Sequence, residues 1–218
     1  MSRRIIKDDI DKFFDCDIYI PTRTIFMGSA SYDISEGESG CDGEMAERMI
    51  KALHILDMSA PDGDKPITII ANNVGGDEYH GFAIYDAIKA CKNYVTIQVF
   101  GHAMSMGSII LQAADERLMA PNSRQMIHYG TWGVHDHAKT AQKWAKEGEK
   151  IDKWMEQMYL ARIRQVSPSF TLEKLQKWLD HDTFLTAAES VAVGLADKVL
   201  EVPIADADSR SSTDDTNE

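Results

Sequence analysis

Ser105, in Val99-Phe-Gly-His-Ala-Met-Ser-Met-Gly-Ser-Ile-Ile110, stands where an apolar run gives way abruptly to a small-residue helical run. A hydroxyl at such a strand-to-helix turn sits at the helix N-terminus, whose unpaired N–H groups stabilise negative charge developing on a substrate oxygen. Gly101, Ala103 and Gly107 leave room for the turn and for an approaching substrate. A serine beside glycines is also an ordinary turn residue, so nucleophilic chemistry requires a base and an orienting acid elsewhere. His128 ends the alternating run Ser123-Arg-Gln-Met-Ile-His128, which reads as a strand, and is the candidate base. Asp182 is the candidate acid, on a short loop just before a helix opened by a Thr186/Glu189 capping box. In such a set the serine attacks, the histidine takes its proton and passes it to the leaving group, and the aspartate holds the tautomer and stabilises the imidazolium.

Other residues compete for these roles. His102 lies three residues before Ser105 but has no evident acid partner, which leaves His128 as the better base. His135 and His137 flank Asp136, yet no cysteine or second carboxylate cluster accompanies them, so they read as surface or interface residues and no metal or cofactor is expected. His181 reads as a support for the acid loop, and His54 and His80 as helix-associated residues. The glycine pair in Asn73-Val-Gly-Gly-Asp77 follows an apolar strand and precedes a helical run. It frees backbone N–H groups to point into a site, although a plain glycine turn gives the same pattern.

These residues need a scaffold, and the chain alternates strand-like with helix-like segments, which is an α/β pattern. Strands are expected at 24–28, 67–72, 95–101, 116–120 and 124–129, and helices at 44–57, 79–91 and 104–114. A long amphipathic helix is expected over 138–164, because Trp144, Ile151, Trp154, Met155, Met158 and Ile163 recur at three- and four-residue intervals. Residues 31–43 and the acidic tail 204–218 read as poorly structured.

Composition fits one enzyme domain. The 218 residues with 44% hydrophobic content bury a core of ordinary size. A net charge of −12 argues against nucleic-acid or anionic-membrane partners. There is no spanning apolar stretch, and the charged N-terminus lacks a secretory core, so a cytoplasmic location is expected. Cys16, Cys41 and Cys91 lack metal-ligand spacing and are odd in number, and they read as free thiols.

Gly101-His-Ala-Met-Ser-Met-Gly107, Pro121-Asn-Ser-Arg-Gln-Met-Ile-His128 and Asp182-Thr-Phe-Leu-Thr-Ala-Ala-Glu189, followed by Gly194-Leu-Ala-Asp197, together resemble the Clp protease proteolytic subunit family, ClpP. The resemblance runs over roughly residues 66–202. It places Ser105, His128 and Asp182 on the family's nucleophile, base and acid, and Gly76 and Met106 on its oxyanion hole. It implies a crotonase-like spiral of β-β-α units with a protruding handle helix, an N-terminal segment 1–23 where the family forms its axial gate, and a peptidase domain over 24–203. It also implies peptide or unfolded-protein substrates, heptameric rings stacked in pairs, and an AAA+ unfoldase partner. The chain departs from the pattern at Asn73 and Val74, where serine and proline are usual. After His128 it lacks both the usual proline and the usual glycine-rich, glutamine-containing handle strand. Such departures suit a divergent, phage-encoded member, for which capsid maturation is a competing role with the same chemistry. A crotonase-like acyl-CoA enzyme needs no such triad, and an idle ring subunit tends to lose one; both are rivals that the three motifs disfavour.

Overall fold

The computed structural model describes residues 7–28, 40–131 and 133–201. Its centre is a sheet of β1 (Ile18–Tyr19), β2 (Thr24–Met27), β3 (Ile67–Asn73), β4 (Val95–Met104), β5 (Glu116–Met119) and β8 (Lys198–Val199). All but β1 run parallel in the order β1-β2-β3-β4-β5-β8, and β1 closes one edge antiparallel to β2. Parallel neighbours require helical crossovers. These are α2 (Gly43–Met58), α3 (Glu78–Ala90) and α4 (Met106–Leu111), followed by α5 (Ala138–Val166), α6 (Leu172–Leu179) and α7 (Ala187–Ala192). A further helix, α1 (Lys7–Cys16), precedes the sheet.

Ile67, Ile69, Ala71 and Asn73 alternate into the interior along β3, as Val95, Ile97 and Val99 do along β4. Met45, Met49, Leu53 and Leu56 of α2 meet Ile84 and Ile88 of α3 in the same core. Two aspartates begin these helices: Asp42 accepts the Met45 N–H at 2.8 Å and Asp77 the His80 N–H at 3.0 Å.

The mixed α/β architecture follows the sequence reading, with informative differences. β4 does not stop at Gly101. There φ is +85°, the strand bends, and it changes partner from β5 along Thr96–Val99 to β6 (Arg124–Ile127) along His102–Met104. A side chain at Gly101 would run into the Asn72 carboxamide, whose oxygen receives the His102 N–H at 3.3 Å. The helix expected from Met104 is correspondingly shorter and begins only after Ser105. The segment 40–43, expected to be poorly structured, is not open loop: Cys41 is buried and bridged to Gly76 in parallel, and Asp42 caps α2. Residues 31–39 and the tail 204–218 lie outside the described residues. Patterning also passes over α1, α6 and β7 (Thr183–Thr186).

The long helix runs 29 residues, two beyond the span expected from its periodicity. Ile151, Met155, Tyr159 and Ile163 are buried, whereas Trp144 keeps 41% and Trp154 46% of its surface in solvent. Trp154 nonetheless stacks edge-on against Phe82 of α3, with centroids 5.8 Å apart.

Candidate active site

The branch from β4 through β6 to β7 assembles the site. Ser105 is the residue between β4 and α4, held at φ +50°, ψ −125°, a conformation that L side chains rarely adopt. Its backbone is pinned on both sides. The Ser105 N–H donates to Met126 O at 2.9 Å, and Ser105 O accepts both the Ser108 N–H at 2.9 Å and the Ser108 hydroxyl at 2.8 Å. The Ser108 hydroxyl is also joined to the fully buried Tyr159 phenol, tying the elbow to α5. Such strain persists only where the surroundings over-determine it, and here three hydrogen bonds do so.

His128 follows β6 directly. β6 and β7 pair antiparallel, from Arg124 opposite Thr186 to Ile127 opposite Thr183, and the next step of that ladder faces His128 with Asp182. The outcome is a continuous chain of contacts: His128 Nε2 lies 2.9 Å from Ser105 Oγ, and His128 Nδ1 lies 3.1 Å from Asp182 Oδ1. With the Nδ1 proton directed at the carboxylate, Nε2 is left as an acceptor for the serine proton. The acid sits on the anchored start of β7. The Thr183 hydroxyl donates to Trp178 O at 2.7 Å, and α7 carries the full Thr186/Glu189 capping box.

His128 is steadied from its other neighbour as well. The Tyr129 N–H donates to Leu179 O of α6 at 2.8 Å, and the Tyr129 hydroxyl makes a short bond to Glu156 on α5, which also receives the Gln176 amide at 2.9 Å. Burial and this acceptor together push the Tyr129 phenol far above its ordinary value. Sequence reasoning missed both Tyr129 and Glu156, because their partnership joins three elements distant in the chain.

The glycine loop lies against the serine. A side chain on Gly75 would fall 2.6 Å from Ser105 Cβ and 3.0 Å from the Met106 nitrogen. Met106 N–H opens α4 without an intrahelical acceptor, as the first N–H of any helix must. Burial pushes the carboxyl of Glu78, just beyond this loop, above its usual value, with Asp77 and Asp152 adding to the effect and His128 opposing it. Asp152 on α5 is raised by burial, then by Glu156 and Glu149.

The other histidines stay apart from this chain of contacts. His102 lies on β4 opposite Arg124, and His181 is exposed next to Asp182. His135 and His137 are exposed, and among the described residues no group of three His, Cys, Asp or Glu is placed to hold a metal ion. No described helix is long and apolar enough to cross a membrane. Burial pushes the Cys41 thiol up to about 12 and the Cys91 thiol up to about 11, so both stay protonated at neutral pH.

Comparison with known proteins bears on this geometry. The Clp protease family model matches residues 33–203. The chain is 32% identical over 190 residues to the ATP-dependent Clp protease proteolytic subunit of Deinococcus radiodurans, with 85% of each chain covered. An alignment of that length takes in the Ser105 elbow, the His128 strand end and the Asp182 loop alike. The chain therefore belongs to the Clp protease family and is a serine-type peptidase.

Proposed function

We propose that Ser105, His128 and Asp182 act as nucleophile, base and orienting acid in peptide-bond hydrolysis, with the N–H groups of Gly76 and Met106 receiving the oxyanion. The observation that carries this reading is the unbroken contact from Ser105 Oγ to His128 Nε2 at 2.9 Å and from Nδ1 to Asp182 at 3.1 Å. The Ser105 hydroxyl gives its proton to Nε2 as Oγ attacks the carbonyl carbon, and the imidazolium, stabilised by Asp182, returns that proton to the departing amine. Water then repeats the sequence on the acyl-enzyme and frees the acid. The strained backbone of Ser105, at the turn from β4 into α4, matches the strand-to-helix turn of a nucleophile elbow. A fluorophosphonate should label the wild-type protein at Ser105, and labelling should disappear in His128→Ala; label on a different serine would overturn the assignment.

The relative's name speaks of an ATP-dependent protease, and we extend that to this chain as a subunit acting in the cytoplasm with an AAA+ unfoldase, inside rings of identical subunits. We place an assembly contact on the first half of α5, where Trp144 keeps 41% of its surface in solvent. Trp154 is a poorer probe of such a contact, since it already packs on Phe82. Trp144→Glu should therefore lower the particle mass seen by light scattering without lowering the melting temperature of the subunit. The wild-type protein should cleave short fluorogenic peptides unaided yet leave a folded substrate intact without ATP and a partner. Degradation of that folded substrate by the protein alone would contradict an enclosed chamber.

A further inference from the structure

The loop Asn73-Val-Gly-Gly-Asp77 offers three consecutive N–H groups, and their destinations can be followed one by one. Gly75 N–H donates to the side-chain oxygen of Asn73 at 2.9 Å. Asp77 N–H donates to Cys41 O at 2.8 Å, while Gly75 O accepts the Cys41 N–H. Those two bonds are the halves of a parallel bridge centred on Gly76, and a residue so bridged turns its own N–H and C=O to the opposite side. Among the described residues the Gly76 N–H meets no acceptor.

From this we infer that Asn73 is a positioning residue for the oxyanion site: its buried carboxamide takes the Gly75 N–H and leaves the Gly76 N–H as the loop's donor beside Ser105. The inference rests on the proposed peptidase chemistry and deepens it. Asn73 has no exposed surface, and its carboxamide bonds the glycine loop, Cys41 and α2 together. Its oxygen also accepts the Cys41 thiol at 3.4 Å, and its nitrogen lies 3.4 Å from the Met45 sulfur on α2. Its side-chain oxygen would come within 2.7 Å of any side chain on Gly107, near the start of the helix that follows Ser105. The bond Asn73 makes to Gly75, two residues on, is an Asx turn, which a serine hydroxyl can imitate more weakly. Gly75 and Gly76 adopt φ of +103° and +136°, so the loop depends on such a bond to select one of the conformations open to glycine.

The test compares Asn73→Ser with Asn73→Ala. Both leave nearly the same cavity, and they differ by a single hydroxyl oxygen able to accept from Gly75. Both are assayed on a fluorogenic peptide, with melting temperatures measured alongside, and both are titrated with a peptide boronic acid that forms a tetrahedral adduct on Ser105. Positioning predicts that kcat of the Ala variant falls at least about tenfold below that of the Ser variant with KM nearly unchanged, and that boronate affinity falls by the same factor. Equal kcat in the two variants, a difference confined to KM, or boronate affinity that does not follow kcat would overturn the inference. Should the Ala variant not fold, Asn73→Thr against Asn73→Val poses the same question at matched shape. Failure of the wild-type protein to react with boronate or fluorophosphonate at Ser105 would instead overturn the peptidase assignment on which the inference rests.

Discussion

Asp197 and Asp182 each pair with a basic side chain, and the contrast between them sets a pair that holds the fold beside the pair proposed for catalysis. Asp197 faces Arg117, whose side chain is 3% exposed. The guanidinium makes four hydrogen bonds, to both Asp197 oxygens at 3.0 and 2.5 Å, to Gln112 Oε1 at 2.8 Å and to Gly194 O at 2.9 Å. Asp182 faces His128 with 59% of its side chain in solvent, His128 keeps 22%, and the second ring nitrogen is turned to Ser105. The first pair engages all three guanidinium nitrogens and joins β5 to the chain before β8, fixing the far edge of the sheet. The second leaves one nitrogen for a proton in transit and a carboxylate that water can reach. A buried guanidinium held by several acceptors resists change, whereas an open pair can alter its charge within a reaction at small cost.

The largest expected effect is at Ser105. Ser105→Ala should lower peptide hydrolysis by about 10⁴-fold or more, because the triad acts as a unit. Ser105→Gly should be equally inactive but more stable than the Ala variant by about 1 kcal/mol, since glycine relieves the positive φ. Equal melting temperatures would show that the elbow stores no strain. Next comes the open pair, where Asp182→Asn should cost about 10²- to 10⁴-fold in kcat with the melting temperature almost unmoved. A large loss of stability in that variant would erase the distinction between the two pairs.

The closed pair should behave in the reverse way. Asp197→Asn should cost about 1–2 kcal/mol at neutral pH, since the Arg117 side is buried but the carboxylate is partly in solvent, read by urea denaturation, and change kcat only slightly. Burial alone would raise the Asp197 carboxyl, but the hydrogen bonds and charge of Arg117 outweigh it and hold the group below its usual value. Its stabilisation is therefore complete above the unfolded aspartate value near about 4 and is lost as pH falls through the lower folded value. The stabilities of the wild-type protein and of Asp197→Asn should converge only in that acid range, and convergence already near neutral pH would argue against the pair. The smallest effect is expected at the α7 capping box: Thr186→Ala should cost about 1 kcal/mol, a shift of about 3 °C in melting temperature, with kcat nearly retained.

Much of this site was legible in the residues themselves. Ser105, His128 and Asp182 each carry a local signature: a small-residue turn, the end of an alternating strand, and a loop ahead of a capping box. Apolar alternation and helical periodicity likewise gave the main strands, α2, α3 and α5, since burial of one face is encoded by spacing alone. Which half of α5 the chain itself covers was not encoded that way, because the same periodicity runs through exposed Trp144 and buried Tyr159. Nor could spacing show that β4 bends at Gly101 to reach β6, that β7 carries Asp182 opposite His128, or that Cys41 and Asn73 take two of the loop's N–H groups and leave that of Gly76. Residue types and local spacing determined which groups are capable of the chemistry. Tertiary structure decided their partners, because hydrogen-bond register between segments far apart in the chain depends on packing that no local pattern records.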